Sequence, residues 1–272
     1  MVKPRPYFRL PRSRNPAAPL FIYLPGMDGT GNLLSRQLAG LEQGFDIRCL
    51  TIPADDLTDW TYLTEQVIQL IKAEPKTDNP QPIYLCGESF GGCLALKVIT
   101  HSPHLFDRFI LLNPASSFKR SAWLYWTSSL VRPIPQPLYH SACVAFLPFL
   151  AALERIEPSD RRALLDATQS VTQRSSIWRI SLLREFEMSD AAIQRITQPA
   201  LVIGGGHDRL LPSISEAQRL VHLLPNARLH VLPQSGHACL LEKSVDLYGI
   251  MRMYDFLNRS PQAQQPKSLR NF

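Results

Sequence analysis

Residues 82–92 read PIYLCGESFGG. The apolar run at 83–86 predicts a strand, and the residues from Gly92 onward predict a helix over 92–100. Between them, Gly87-Glu88-Ser89-Phe90-Gly91 has the spacing Gly-x-Ser-x-Gly. A serine in a strand–turn–helix of this kind sits on a tight, strained turn, and a Cβ at either glycine would meet the neighbouring strand or helix. The turn presents Oγ at the end of a sheet. The N–H of Phe90 then points toward a reacting carbonyl, and the positive end of the helix adds to it. Ser89 is therefore expected to be a nucleophile.

Short apolar runs at 20–24, 47–52, 83–86, 109–112, 201–203 and 229–232 alternate with helix-like segments at 57–73, 92–100, 213–223 and 239–257. Continuously apolar strands separated by helices predict an α/β fold with a mostly parallel sheet covered on both faces. Residues 116–196 break the alternation, with no convincing strand, an aromatic cluster (Trp123, Tyr125, Trp126) and a proline-rich turn. A helical insert of this length is too long for a plain connection. It is expected to form a cap over the strand ends, where open α/β sheets bind ligands. The expected division is a basic tail (1–15), a core (16–115 and 197–259), the cap (116–196) and a C-terminal tail (260–272).

A serine nucleophile needs a base, and the base needs an orienting carboxylate. Asp208 follows the strand at 201–203, and His237 follows the strand at 229–232, on the rim expected to hold Ser89. The order Ser, Asp, His fits the strand–turn–helix serine enzymes. Asn113 ends the strand after the nucleophile helix and occupies an alternative acid position, but an amide does not stabilise an imidazolium as a carboxylate does. His101, His104 and His140 precede Asp208 and break the order. His207 reads as a loop residue, His222 as a helix-end residue and His230 as a strand residue. Residues 20–31, LFIYLPGMDGTG, run from a strand into a glycine-rich loop. The N–H of Met27 is expected to join that of Phe90 as the oxyanion hole, and Asp28 reads as a cap for the next helix in preference to an anchor supporting the site. The glycines at 26, 29 and 31 fit neither a phosphate loop nor Gly-x-Gly-x-x-Gly.

The net charge of +6 belongs to the ends: five basic residues and no acid lie in 1–14, three and none in 259–272, and the remainder is slightly acidic. That distribution argues against a nucleic-acid-binding face. Basic ends read as solvated tails, or as contacts to anionic lipid headgroups. The five cysteines (49, 86, 93, 143, 239) show no Cys-x-x-Cys or zinc spacing, so neither metal nor cofactor is expected. Without a signal-peptide core or an apolar stretch long enough to span a bilayer, a cytoplasmic protein, peripheral to membranes at most, is expected.

The segments LPGMDGTG (24–31), IPADD (52–56), PIYLCGESFGGCLAL (82–96), LLNPASSF (111–118), GGGHDRLLPS (204–213) and SGHACLLE (235–242) together resemble the α/β-hydrolase superfamily. In particular they resemble the hydrolase-like domain of plant plastid phytyl ester synthase/diacylglycerol acyltransferase proteins and their stand-alone bacterial relatives. The likeness covers roughly residues 20–250. It implies acyl-lipid chemistry at Ser89, Asp208 and His237. The plant proteins join this domain to an acyltransferase-like region with a His-x-x-x-x-Asp motif, which these 272 residues lack. The expected activity is hydrolysis of an acyl ester or thioester through an acyl-enzyme on Ser89. The alternatives are transfer of the acyl group to a long-chain alcohol, such as phytol or diacylglycerol, and a non-catalytic ligand-binding module. Trp123, Tyr125, Trp126, Phe146 and Phe149 are candidates for an acyl-chain pocket.

Overall fold

The computed structural model describes residues 5–75, 80–120 and 135–257. In chain order the strands are β1 (Tyr7–Arg9), β2 (Leu20–Leu24), β3 (Asp46–Thr51), β4 (Ile83–Glu88), β5 (Arg108–Leu112), β6 (Ala200–Gly205) and β7 (Ala227–Leu232). The helices are α1 (Leu38–Leu41), α2 (Trp60–Lys72), α3 (Phe90–His101), α4 (Gln136–Leu150), α5 (Pro158–Ser170), α6 (Gln173–Glu185), α7 (Asp190–Gln194), α8 (Ser213–Leu223) and α9 (Leu247–Met253). One sheet runs β1-β3-β2-β4-β5-β6-β7. Every neighbouring pair is parallel except β1 with β3.

The apolar runs of the central strands are explained by two-sided burial. Successive side chains on a strand point to opposite faces. Ile22, Leu24, Leu85, Phe109, Leu111 and Val202 face a core completed by α2, α3 and α8. Phe21, Tyr23, Tyr84, Ile110, Leu112 and Ile203 face a second core with Leu38 and Leu41 of α1 and Leu247, Ile250 and Met251 of α9. Neither side of the sheet meets water at its centre, so no polar alternation is needed.

Helix α2 shows how local sequence sets an element. Asp59 caps it by accepting from Tyr62 N–H at 2.8 Å, a contribution of about 1 kcal/mol. Trp60, Leu63, Thr64, Val67, Ile68 and Ile71 then recur at helical spacing and are buried. The Trp60 ring stacks on Phe90 at 4.6 Å between centroids, and its Nε1 donates to Leu182 O at 2.8 Å. This aromatic pair ties α2 to the nucleophile turn and to α6.

Two expectations need correction. Residues 7–9, within the expected tail, form an antiparallel edge strand on β3, pairing Tyr7 with Thr51 and Arg9 with Cys49. Three residues among arginines and prolines are too few to show a period-two pattern. The single helix expected over 239–257 is a 3₁₀ turn (Cys239–Leu241) followed by α9. Glu242 between them turns back to bond Ser235 and Gly236, and Asp246 starts α9 afresh by accepting from Gly249 N–H. Between β5 and β6 the described residues hold helices and 3₁₀ turns and no strand; a lone bridge joins Ile156 to Glu242. No helix among the described residues is long and apolar enough to cross a membrane. Four of the five cysteines are buried and all are free thiols.

Candidate active site

Because β2, β4, β6 and β7 run parallel, the loops after them emerge on one edge of the sheet. Those loops carry Met27, Ser89, Asp208 and His237. Ser89 has φ 52° and ψ −113°, a strained conformation for a residue with a Cβ. The turn is fixed by Ser89 N–H to Leu112 O (3.0 Å) and by Gly92 N–H and Ala115 N–H to Ser89 O (2.9 and 3.0 Å). A Cβ on Gly91 would stand 2.0 Å from Leu24 O, so only glycine lets α3 start this close to β2.

The three side chains meet. His237 Nδ1 lies 2.7 Å from Asp208 Oδ2, and His237 Nε2 lies 2.8 Å from Ser89 Oγ. An ionised carboxylate only accepts, so Nδ1 carries the proton and Nε2 is left to accept from the serine. Asp208 Oδ1 takes the N–H groups of Leu210 and Leu211 at 2.8 and 2.9 Å, and Oδ2 also accepts from Ser213 Oγ. Burial pushes the Asp208 carboxyl up, but His237 and these bonds outweigh it and hold the carboxyl below its ordinary value. Burial pulls the imidazole down, while Asp208 and, more weakly, Glu88 raise it above the ordinary 6.5.

Gly26 lies against the serine: a Cβ built on it would be 3.8 Å from Ser89 Cβ. Met27 follows and lines the same cavity as Ser89 and His237. The ring of Phe90 is directed away into the core, leaving its backbone at the start of α3. Asp28 is not a helix cap. It folds back on its own loop, accepting from Thr30 N–H (2.8 Å) and Thr30 Oγ1 (2.5 Å), while Gly31 precedes the 3₁₀ turn without a side-chain cap.

The cavity above Ser89 has a volume of about 450 Å³. Its wall is largely apolar, built from side chains such as Met27, Phe118, Ile180, Leu183 and Leu211 together with residues of α4 and α5. Phe146 and Phe149 both line it, with rings stacked 5.6 Å apart, and both are also exposed, which places them at its opening. Trp123, Tyr125 and Trp126 lie outside the described residues. Of the other histidines, His207 is exposed and His230 Nδ1 lies 3.2 Å from Tyr254 Oη, away from the serine.

Three supporting residues escaped the sequence reading. Asn113, weighed only as an alternative acid, is fully buried with φ 41°. Its Oδ1 accepts from Gly205 N–H at 2.7 Å, and its Nδ2 donates to Gly236 O and His237 O at 3.2 and 2.7 Å. It thus brackets the end of β6 to the histidine loop, and the need for a donor there explains why the residue is an amide. Glu242, also fully buried, accepts from Gly236 N–H, Ser235 Oγ and Arg155 Nε. Glu88, the residue before the serine, is buried, accepts from Tyr23 Oη, and is raised by burial to about 7. The only sequence signals were an asparagine at a strand end, a glutamate closing SGHACLLE and a glutamate inside the nucleophile turn.

The profile of the Hydrolase_4 family, described as serine aminopeptidase, S33, matches residues 54–244. The chain belongs to the Hydrolase_4 family. Among relatives of this Hydrolase_4 member, Phytyl ester synthase 1, chloroplastic, of Arabidopsis thaliana is 31% identical over 86% of the chain and 36% of its own length. Phytyl ester synthase 2, chloroplastic, of the same plant is 28% identical over 89% of the chain and 38% of its own length. The chain therefore spans little more than a third of these relatives. Among solved structures, an esterase from Exiguobacterium antarcticum superposes with a TM-score of 0.72 at 20% identity, covering 87% of this chain and 91% of that one. The fold is the α/β-hydrolase fold.

Proposed function

We propose that this enzyme cleaves lipid-like acyl esters or thioesters through an acyl-enzyme on Ser89. One observation carries the reading: the Ser89–His237–Asp208 chain of hydrogen bonds, 2.8 and 2.7 Å long, at the floor of an apolar cavity. His237 takes the Ser89 proton as Oγ attacks the carbonyl, and Asp208 holds the imidazole in the required tautomer and stabilises its cation. The N–H groups of Phe90 and Met27 receive the oxyanion, each worth roughly 3–4 kcal/mol in the transition state. His237 then protonates the leaving alcohol or thiol. Water, activated by the same imidazole, releases the acid and restores Ser89.

The helical segment at 116–196 serves as the cap in this reading, and the acyl chain lies along its apolar wall past Phe146 and Phe149. Trp123, Tyr125 and Trp126 remain candidates for the same pocket. The substrate is a small molecule and needs no cofactor. Leu138, Val144, Phe146 and Phe149, exposed on α4 beside the opening, support brief contact with the lipid surface that holds such a substrate.

A second reading, transfer of the acyl group to a long-chain alcohol, is favoured by the likeness to the two phytyl ester synthases. The chemistry is shared until the acyl-enzyme is resolved. Incubation of wild-type enzyme and Ser89→Ala with a long-chain acyl donor, with and without phytol, separates the readings by mass spectrometry. Free acid in both incubations supports hydrolysis; ester formed only with phytol supports transfer. Equal turnover by Ser89→Ala contradicts both.

A further inference from the structure

We propose that Arg179, on α6, is a positioning residue that locks the loop carrying the Met27 oxyanion donor. The proposal rests on the reading of Ser89 and Met27 given above.

Arg179 is only 2% exposed. Burying a guanidinium costs several kcal/mol unless its donors are used. Here they are used on backbone rather than on a carboxylate. Nη1 donates to Met27 O at 2.5 Å, and Nη2 donates to Pro53 O at 2.9 Å. The two carbonyls belong to the loops after β2 and β3, which are neighbours in the sheet. Asp28 and Asp56 supply opposite charge nearby.

The loop itself is a turn in which Gly29 N–H donates to Gly26 O at 3.0 Å, with Met27 and Asp28 at its centre. The peptide between the two central residues of such a turn is the unit whose rotation distinguishes type I from type II. Arg179 grips the carbonyl of that peptide. It does so from outside the cavity, since it is not among the lining residues. That contact fixes ψ of Met27, and together with the Gly29–Gly26 bond it holds the preceding peptide, whose N–H is the Met27 donor, in place beside the developing oxyanion. Fixed donors of this kind stabilise a transition state because they need no reorganisation during the reaction.

Two further contacts fit this role. Gly29 has φ +70°, and a Cβ on it would stand 2.8 Å from Arg179 Nη1, so the loop leaves room for the guanidinium. Helix α6 is itself pinned to the core: Trp178 Nε1 donates to Thr58 O, and Trp60 Nε1 donates to Leu182 O, both at 2.8 Å. Arg179 therefore reaches the loop from a firm support, and the inserted segment takes part in the chemistry as well as enclosing it.

The test compares wild type, Arg179→Met and Arg179→Lys. It reads kcat and KM on a p-nitrophenyl acyl ester, affinity for a trifluoromethyl ketone of the same chain, and affinity for the matching unreactive ether. In Arg179→Met, kcat should fall roughly 10²-fold, the scale of one oxyanion donor, with KM nearly constant. Ketone affinity should fall with kcat, ether affinity should hold, and Arg179→Lys should recover part of the loss. Wild-type kcat in folded Arg179→Met, or equal losses for ketone and ether, would overturn the proposal. If Arg179→Met does not fold, Arg179→Gln takes its place, since one short amide cannot reach both Met27 O and Pro53 O. The same split is expected there, and full kcat in folded Arg179→Gln overturns the proposal. Ser89→Ala runs in parallel; its retained turnover would show that the site reading, rather than the role of Arg179, has failed.

Discussion

Arg155 Nε lies 2.6 Å from Glu242 Oε2, and through that carboxylate the segment between β5 and β6 holds the loop that presents His237. Glu242 spends its other acceptor sites on Ser235 Oγ (2.9 Å) and Gly236 N–H (2.8 Å), the two residues before the histidine. Glu242→Ala strands two buried donors, Ser235 Oγ and Gly236 N–H, each costing about 1–3 kcal/mol, and unpairs the partly exposed Arg155. Urea unfolding should show a loss on the order of 3 kcal/mol, with kcat lowered in the fraction that remains folded. Glu242→Gln, which keeps one acceptor oxygen, should lose less. Equal stability of wild type and Glu242→Ala would contradict this account.

Asn113→Asp replaces the Nδ2 donor with a charged acceptor facing Gly236 O and His237 O. The expected outcome is a loss of about 2–4 kcal/mol at neutral pH. The loss should shrink at acid pH, where the carboxyl regains a proton. Combining it with Asp208→Asn should not restore activity, because the new carboxylate is engaged with the histidine loop backbone rather than with Nδ1. Recovery of turnover in the double variant would show that the alternative acid position is usable.

The acid limb of kcat/KM should report His237, which must be neutral to accept the serine proton. Asp208, and more weakly Glu88, raise the imidazole, so the midpoint should lie above 6.5. Activity should rise with pH through that midpoint. Folding stability contributed by the charged pair runs the other way: it is present below the unfolded histidine value and lost as pH rises through the raised folded one. Asp208→Asn should move the limb down as well as lowering its plateau. A limb that stays in place in Asp208→Asn would contradict the assigned cause.

Glu88 gives a second pH prediction with its own sign. Its carboxyl is raised from an ordinary 4.5 to about 7, chiefly by burial. The folded protein therefore binds that proton more tightly than the unfolded chain does. Stability from this group is full below 4.5 and falls as pH rises toward and past 7. The loss is on the order of 3 kcal/mol at alkaline pH. Glu88→Gln keeps an acceptor for Tyr23 Oη and removes the charge. Thermal melts should show it gaining on wild type between pH 5 and pH 8; parallel curves would contradict the prediction.

How far the sequence foretold this molecule depends on the range of the interactions involved. The runs at 20–24 and 201–203 are legible because a central strand buried on both faces must be apolar throughout. Ser89 is legible because its strained turn forces glycines at fixed offsets, and the positions of Asp208 and His237 follow from strand ends. Residues 7–9 were not, since an edge strand of that length draws its stability from β3 and not from its own pattern. Asn113, Arg179 and Glu242 were hidden for another reason. Each acts on backbone groups distant in sequence, and backbone acceptors and donors leave no residue-type signature. Asp28 was misread because an aspartate before a helical turn suits both a cap and a turn closed on Thr30.

In the proposed mechanism Ser89 carries the acyl group. Rapid quenching with a slow p-nitrophenyl acyl ester, followed by peptide mass spectrometry, addresses it directly. The account predicts an adduct of acyl mass on the peptide containing Ser89, formed at the rate of the p-nitrophenol burst and absent from Ser89→Ala. An adduct on another residue, or a full burst from Ser89→Ala, would contradict it.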